Sequence, residues 1–213
     1  MRVPALAALA AIVMAAAPAA ASLDEAMRGL QKRYDDTRTL QASFRQIVES
    51  PTLAGKLETS GQLAFEKPNR MRWDYDPPSG QVIVGDGHTL WIFQPDLKQV
   101  IKAPLSDAFE SSTPVTFLGG LGRLDKEFDP SLEREDSSEW VLRLVPRRDR
   151  AIGTLMLVVR KDDASIAEAR ITDPLGTTTR ILLSEERRNQ SIPTDRFRFT
   201  PPAGVDVVQP PAY

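Results

Sequence analysis

The stretch Gln62-Leu-Ala-Phe-Glu-Lys-Pro-Asn-Arg-Met-Arg-Trp-Asp-Tyr75 decides the fold class, because its hydrophobicity alternates with a period of two. Every second residue gives one face as Leu63, Phe65, Lys67, Met71, Trp73 and Tyr75. The other face carries Ala64, Glu66, Arg70, Arg72 and Asp74, with a break at Pro68-Asn69. A strand pair with one wet face belongs to an antiparallel sheet that needs apolar cover on its other side.

Working outward, Leu40 to Val48 alternates in the same way, with Phe44 on its apolar face. Gln81 to Val84 ends in the turn signal Gly85-Asp86-Gly87, and Thr89 to Phe93 reads as the next strand. Both faces of that strand are apolar, so its parity stays open. Leu97 to Ala103 follows the turn Gln94-Pro95-Asp96. Strand patterns return at Trp140 to Val145, Thr154 to Arg160, Ile166 to Thr172, Thr177 to Leu183 and Arg196 to Phe199. The expectation is one antiparallel sheet of roughly ten strands, which tends to curl at that size. Helices are scarce. Ser22 is placed to cap one that runs to about Asp36, with Leu23, Met27, Leu30 and Tyr34 on its apolar side. Thr113-Pro114 opens a second, weak one, loosened by Gly119, Gly120 and Gly122.

Composition narrows function. The chain has 213 residues, 27 Lys plus Arg against 29 Asp plus Glu, no cysteine and one histidine, His88. Near-neutral charge without a dense basic run excludes the footprint of a nucleic-acid binder. Without cysteine, thiolate zinc sites, disulfides and cysteine nucleophiles are impossible, and one histidine cannot build a multi-histidine metal centre. No G-x-S-x-G elbow occurs, and Gly119 to Gly122 lacks the Lys-Ser/Thr of a phosphate loop. No cofactor or metal is expected, and the chain reads as a non-enzyme. An esterase using a serine and His88 is the catalytic alternative, although His88 reads more simply as a turn residue. Met1-Arg2, the Ala-rich run to Ala17 and Ala19-Ala20-Ala21 form a secretory leader, with cleavage expected after Ala21. The expected organisation is a cleaved signal peptide over 1–21 and one exported domain over 22–213. With Ser22 and not cysteine at its new N-terminus, the mature chain carries no lipid anchor there.

With so little helical cover, the apolar face is either an ordinary core or a loosely lidded cavity. Periodicity alone admits both. Lys67 falls on that face, where it either snorkels to the rim or latches a facing helix by donating to its carbonyls. The helix after Pro114 is the expected partner.

The run Gly61 to Tyr75, then Asp86-Gly-His-Thr-Leu-Trp-Ile-Phe93 and Leu97-Lys-Gln-Val100, resembles the outer-membrane lipoprotein carrier (LolA) family. So do Leu40-Gln-Ala-Ser-Phe-Arg-Gln46 and Phe197-Arg-Phe-Thr-Pro-Pro-Ala-Gly-Val205. The resemblance implies a mainly β fold with helices (α+β), a single curved antiparallel sheet forming an incomplete barrel closed by a helical lid. It implies a periplasmic monomer that shields the acyl chains of lipoproteins, taking them from an inner-membrane ABC transporter to the receptor LolB at the outer membrane. On that reading the acyl chains meet Phe44, Leu63, Phe65, Met71, Trp73, Leu90 and Ile92, and Phe117, Leu118 and Leu121 cover them from the lid. The family's lid-latching arginine precedes a proline, and Lys67 before Pro68 stands in its place. Met71 replaces an aromatic found in many members. A lipid-binding or lipoprotein-sensing module on the same half-barrel is the alternative function.

Overall fold

A computed structural model describes residues 17–52, 55–105, 124–147 and 153–209. Helix α1 spans Ala17–Asp36. After it come β1 (Thr39–Glu49), β2 (Lys56–Glu66), β3 (Arg70–Tyr75), β4 (Val82–Asp86), β5 (Thr89–Gln94) and β6 (Gln99–Pro104). A single helical turn at Leu124–Glu127 leads into β7 (Phe128–Glu135), β8 (Glu139–Pro146), β9 (Thr154–Arg160), β10 (Ile166–Thr172), β11 (Thr178–Arg188) and β12 (Asp206–Val208).

All twelve strands form one open sheet in the order β12-β6-β5-β4-β3-β2-β1-β11-β10-β9-β8-β7. Neighbours are antiparallel except β12, which lies parallel to β6 at one edge. The meander explains the order: short turns join most neighbours, and β1 closes the two halves by pairing with both β2 and β11. Register shifts at Gln41/Ser43, Ile166/Glu168 and Leu132/Arg134 supply local bends.

Among the described residues the core divides in two, because the one long helix there cannot cover twelve strands. Ala26 and Leu30 of α1, with Leu23, Met27 and Tyr34 beside them, pack on Trp140, Leu142, Leu144, Leu155, Leu157 and Val159 of β8 and β9. The second cluster lies on β1 to β5 and β11. The convex side of β2, read above as wet, is partly covered: Ala64 is buried under Ile192 and Phe197. Asp74 there accepts bonds from Arg72 and Arg196.

Several expectations change. The sheet has twelve strands among the described residues, against roughly ten expected. β7 escaped the pattern because Pro130 and its charges interrupt alternation, which suits an edge strand that cannot use every donor. Arg196 to Phe199 is not a strand; Thr194–Phe197 is a 3-10 turn hemmed by Pro193 and by Pro201-Pro202. α1 starts at Ala17 and runs through Ser22, since the alanines of this stretch favour helix and Pro18 fits a first turn.

Gly61 decides how tightly the second cluster closes. It faces Phe44 on β1 and Tyr75 on β3. A Cβ there would overlap the Asp74 carbonyl oxygen and stand 2.9 Å from the Phe44 ring. Gly61→Ala is therefore expected to destabilise the protein by about 1–3 kcal/mol, read as a lower urea midpoint with little change in m-value.

Candidate functional site

The inner face of β1 to β5 is built as two rows running across the strands. Ala42, Leu63, Trp73, Ile83 and Ile92 are successive cross-strand partners. Leu40, Phe65, Met71, Gly85 and Leu90 form the second row. All seven expected binding residues, Phe44, Leu63, Phe65, Met71, Trp73, Leu90 and Ile92, thus fall in one cluster. Phe65 and Ile92 are half-buried and the other five are buried. Phe44 sits edge-on to Trp73 at 4.7 Å and to Tyr75 at 4.9 Å, and Phe65 to Trp73 at 6.0 Å. Tyr75 donates its hydroxyl to Gln46 Oε1 at 2.9 Å, and burial pushes its pKa up to about 12. Gly85 keeps the second row low: a Cβ there would lie 3.0 Å from Met71 and 3.1 Å from Leu105.

The parity of β5 is settled. Leu90 and Ile92 join the inner cluster, while Trp91 and Phe93 turn to the convex side, with ring centroids 5.9 and 6.2 Å from Phe199. Apolar residues on both faces reflect cover on both faces. His88 is exposed in the β4–β5 turn, where its backbone N–H donates to Asp86 Oδ1 at 2.9 Å. Phe117, Leu118 and Leu121 lie outside the described residues.

A cleft opens where the end of α1 meets the sheet. Its walls include Leu30, Tyr34, Leu40, Phe65, Ile166 and Leu183, and it has room for water-sized molecules over about 100 Å³. Leu40, Phe65 and Leu183 also belong to the inner cluster, so the cleft and the aromatic rows are continuous. Charge gathers at the mouth. Arg33, 12% exposed at its side chain, bonds Glu186 at 2.5 Å and Asp163 at 2.8 Å. Arg70 pairs with Glu66 at 3.1 Å.

Lys67 stands just past β2, in the turn to β3. Its ammonium donates to the Tyr34 carbonyl oxygen and rests 3.7 Å from the centre of the Tyr34 ring. The residue as a whole is exposed, yet its ammonium is shielded there. Burial pulls its pKa down, against the opposing pull of Asp35 and Asp36. A helix carbonyl is indeed its acceptor, but the helix is α1; the expected segment after Pro114 lies outside the described residues. The physical reason is the helix end. The last carbonyls of α1 lack intrahelical partners and carry the negative end of its dipole. Thr37 Oγ1 donates to Arg33 O at 2.6 Å, Asn189 Nδ2 to Asp36 O at 2.9 Å, and Lys67 serves Tyr34 O. Sequence periodicity identified Leu30 and Tyr34 as a helix face but gave no sign that this end meets the β2–β3 turn.

The family of the chain follows from its match to the model described as "Outer membrane lipoprotein carrier protein LolA", over residues 35–200. The chain belongs to the LolA family. A curated relative from Chromobacterium violaceum, named outer-membrane lipoprotein carrier protein, is 36% identical over 207 residues, covering 96% of each chain. One of the same name from Methylibium petroleiphilum is 34% identical over 201 residues, covering 94% of this chain and 96% of that one. Among solved structures, an uncharacterized conserved protein from Thermus thermophilus superposes with a TM-score of 0.56 at 15% identity. That match covers 89% of this chain and 99% of the other, and it speaks for the fold alone.

In this LolA-family chain, two changes test the helix end. Lys67→Met is expected to cost about 1 kcal/mol and to speed amide exchange in the last turn of α1, while Lys67→Arg keeps most of the protection. Asp163 adds a pH dependence. Burial alone would raise its pKa, but bonds from Ser165 and the Arg33 guanidinium outweigh that and hold it below its ordinary 3.8. A carboxyl depressed on folding contributes stability above its unfolded pKa and loses it as pH falls through the folded value. Melting temperature is therefore expected to drop below about pH 4, and Asp163→Asn to flatten part of that drop while lowering stability at pH 7.

Proposed function

We propose that this protein is a periplasmic lipoprotein carrier that shields acyl chains on the inner face of β1 to β5 and makes or breaks no covalent bond. One observation carries the reading: two apolar rows run across five strands, and the only long helix among the described residues packs on the other half of the sheet. The names of its relatives, outer-membrane lipoprotein carrier proteins, support the cargo class and the compartment. On this reading residues 1–21 are the leader removed on export. The carrier works as a monomer, takes lipoproteins from the inner-membrane ABC transporter and passes them to the receptor LolB. Phe117, Leu118 and Leu121 would belong to the lid.

Physical chemistry explains why a carrier is needed. Each methylene removed from water contributes about 0.8 kcal/mol, so one 16-carbon chain represents on the order of 10 kcal/mol gross. Such a chain does not cross an aqueous space unshielded on a useful timescale. The carrier must also let go. In the unloaded structure the rows are already shielded from water, with Trp73 fully buried and Phe44 only 3% exposed. Loading therefore exchanges side-chain contacts for chain contacts, and only the difference appears as affinity. That exchange keeps binding reversible. The cleft at the end of α1 supplies the way in, and Lys67 holds the flank of the helix that borders it. A latch at this point trades loading rate against leakage.

The test is release. Spheroplasts making a tagged lipoprotein, given the mature protein and a working transporter from the same organism, are expected to yield that lipoprotein as a one-to-one soluble complex without detergent. Phe65→Asp puts an ionised carboxylate at the joint of cleft and rows, and should cut release at least about tenfold, since a buried charge costs more than about 1.4 kcal/mol. Leu97→Asp, at a site 66% exposed, should release normally. Absence of any release by folded wild-type protein would instead favour a lipid-sensing module.

A further inference from the structure

The three tryptophans differ in how their indole N–H groups are used. Trp91 donates to Asp86 Oδ2 at 3.2 Å. Trp140 is buried and its N–H makes no full hydrogen bond, but it lies within electrostatic reach of Glu135, whose carboxyl is held below its ordinary value first by Lys161 and to a smaller extent by that indole. Trp73 has neither. It is 0% exposed, its Nε1 has no acceptor among the described residues, and its neighbours across the strands are Leu63 and Ile83. Buried donors in folded proteins are nearly always paired, so an unpaired one in the middle of an apolar surface calls for an explanation.

Among the described residues, a ring face is the only internal alternative. Phe44 and Phe65 both meet Trp73 edge to face, and a donor pointed at an aromatic face is weakly satisfied at best. Position supplies a better one. Phe65 lines the cleft and touches Trp73, so the indole lies one ring in from the place where cargo would enter. An acyl chain is apolar along its length but ends in a carbonyl, the one acceptor that such a chain brings with it.

Resting on the carrier reading above, we propose that Trp73 Nε1–H is the hydrogen-bond donor for an acyl carbonyl of the cargo, ester or amide, and so sets the depth at which the chain stops. The rows then provide affinity without regard to register, and this single donor provides register. It also separates acyl cargo from plain hydrocarbon, which brings no acceptor, and from ether-linked lipid, whose oxygen lies in line with the chain and lacks the carbonyl that projects sideways toward the donor.

The experiment uses the mature wild-type protein with its indole nitrogens labelled with ¹⁵N, and three probes of equal chain length. These are a cysteine peptide bearing two ester-linked palmitoyl chains on thioglycerol, its ether-linked counterpart, and a peptide with a single N-palmitoyl amide. The Trp73 N–H resonance should move downfield with the ester probe and stay put with the ether probe; the amide arm shows which carbonyl it takes. Trp73→Phe should weaken ester or amide binding about threefold to tenfold more than it weakens ether binding. Identical Trp73 resonances in the ester, amide and ether complexes would overturn the proposal while leaving the carrier reading standing. Failure of every probe to bind would overturn both. The resonance measurement needs no substitution, so it decides the matter even if Trp73→Phe folds poorly.

Discussion

The last turn of α1 is the point on which the two halves of the sheet depend. Three separate connections reach it: Lys67 from the β2–β3 turn, Asn189 from the end of β11, and Asp163 from the β9–β10 turn through Arg33. Each supplies what a helix end needs, either a donor for a free carbonyl or a partner for its charges. Asp35 and Asp36 sit badly against the negative end of the dipole, so the cations around them have a clear role. Lys32 bonds Asp36 at 2.6 Å, and with Arg188 and Lys67 it draws the Asp36 carboxyl below its ordinary value. The Lys32–Asp36 pair is exposed and modest, whereas Arg33 and Glu186 meet at 12% and 15% exposure, so the helix end combines one largely buried pair with weaker surface contacts.

The division of the core follows from the same shortage of cover. α1 buries its apolar side against β8 and β9, and only its end, at Leu30 and Tyr34, reaches the cleft beside Leu40 and Phe65. In the rows of β1 to β5 large rings pack edge to face, with Gly61 beside the Phe44 ring. Such a surface is stable when empty and can be reopened, since rings that pack on one another can pack on a chain instead. A fully helix-covered half could not offer that exchange without unfolding. On the proposed reading, one cluster holds the fold and the other holds the guest.

Much of this was written in the alternation of the chain. Leu63, Phe65, Met71 and Trp73 announced one face of a sheet, and the cross-strand partners in β1, β4 and β5 follow once the turns are placed. Other features depend on contacts between distant segments. The side of β5 that faces inward is decided by Phe199, which lies against Trp91 and Phe93. The acceptor for Lys67 depends on where α1 ends relative to a turn 33 residues away. Pro130 concealed β7, and three residues of β12 were too few to read. Local pattern shows which residues share a face; it does not show which distant segment comes to lie upon it.

The most direct test of the account is to locate a bound chain. A lipopeptide carrying a photoreactive diazirine near the end of one acyl chain would be loaded, irradiated and mapped by mass spectrometry of the digested protein. Adducts should fall on inner-row residues such as Leu63, Met71, Trp73 and Ile83, and disappear when excess unlabelled lipopeptide is added. Adducts confined to the convex side, on Trp91, Phe93 or Phe199, would contradict it.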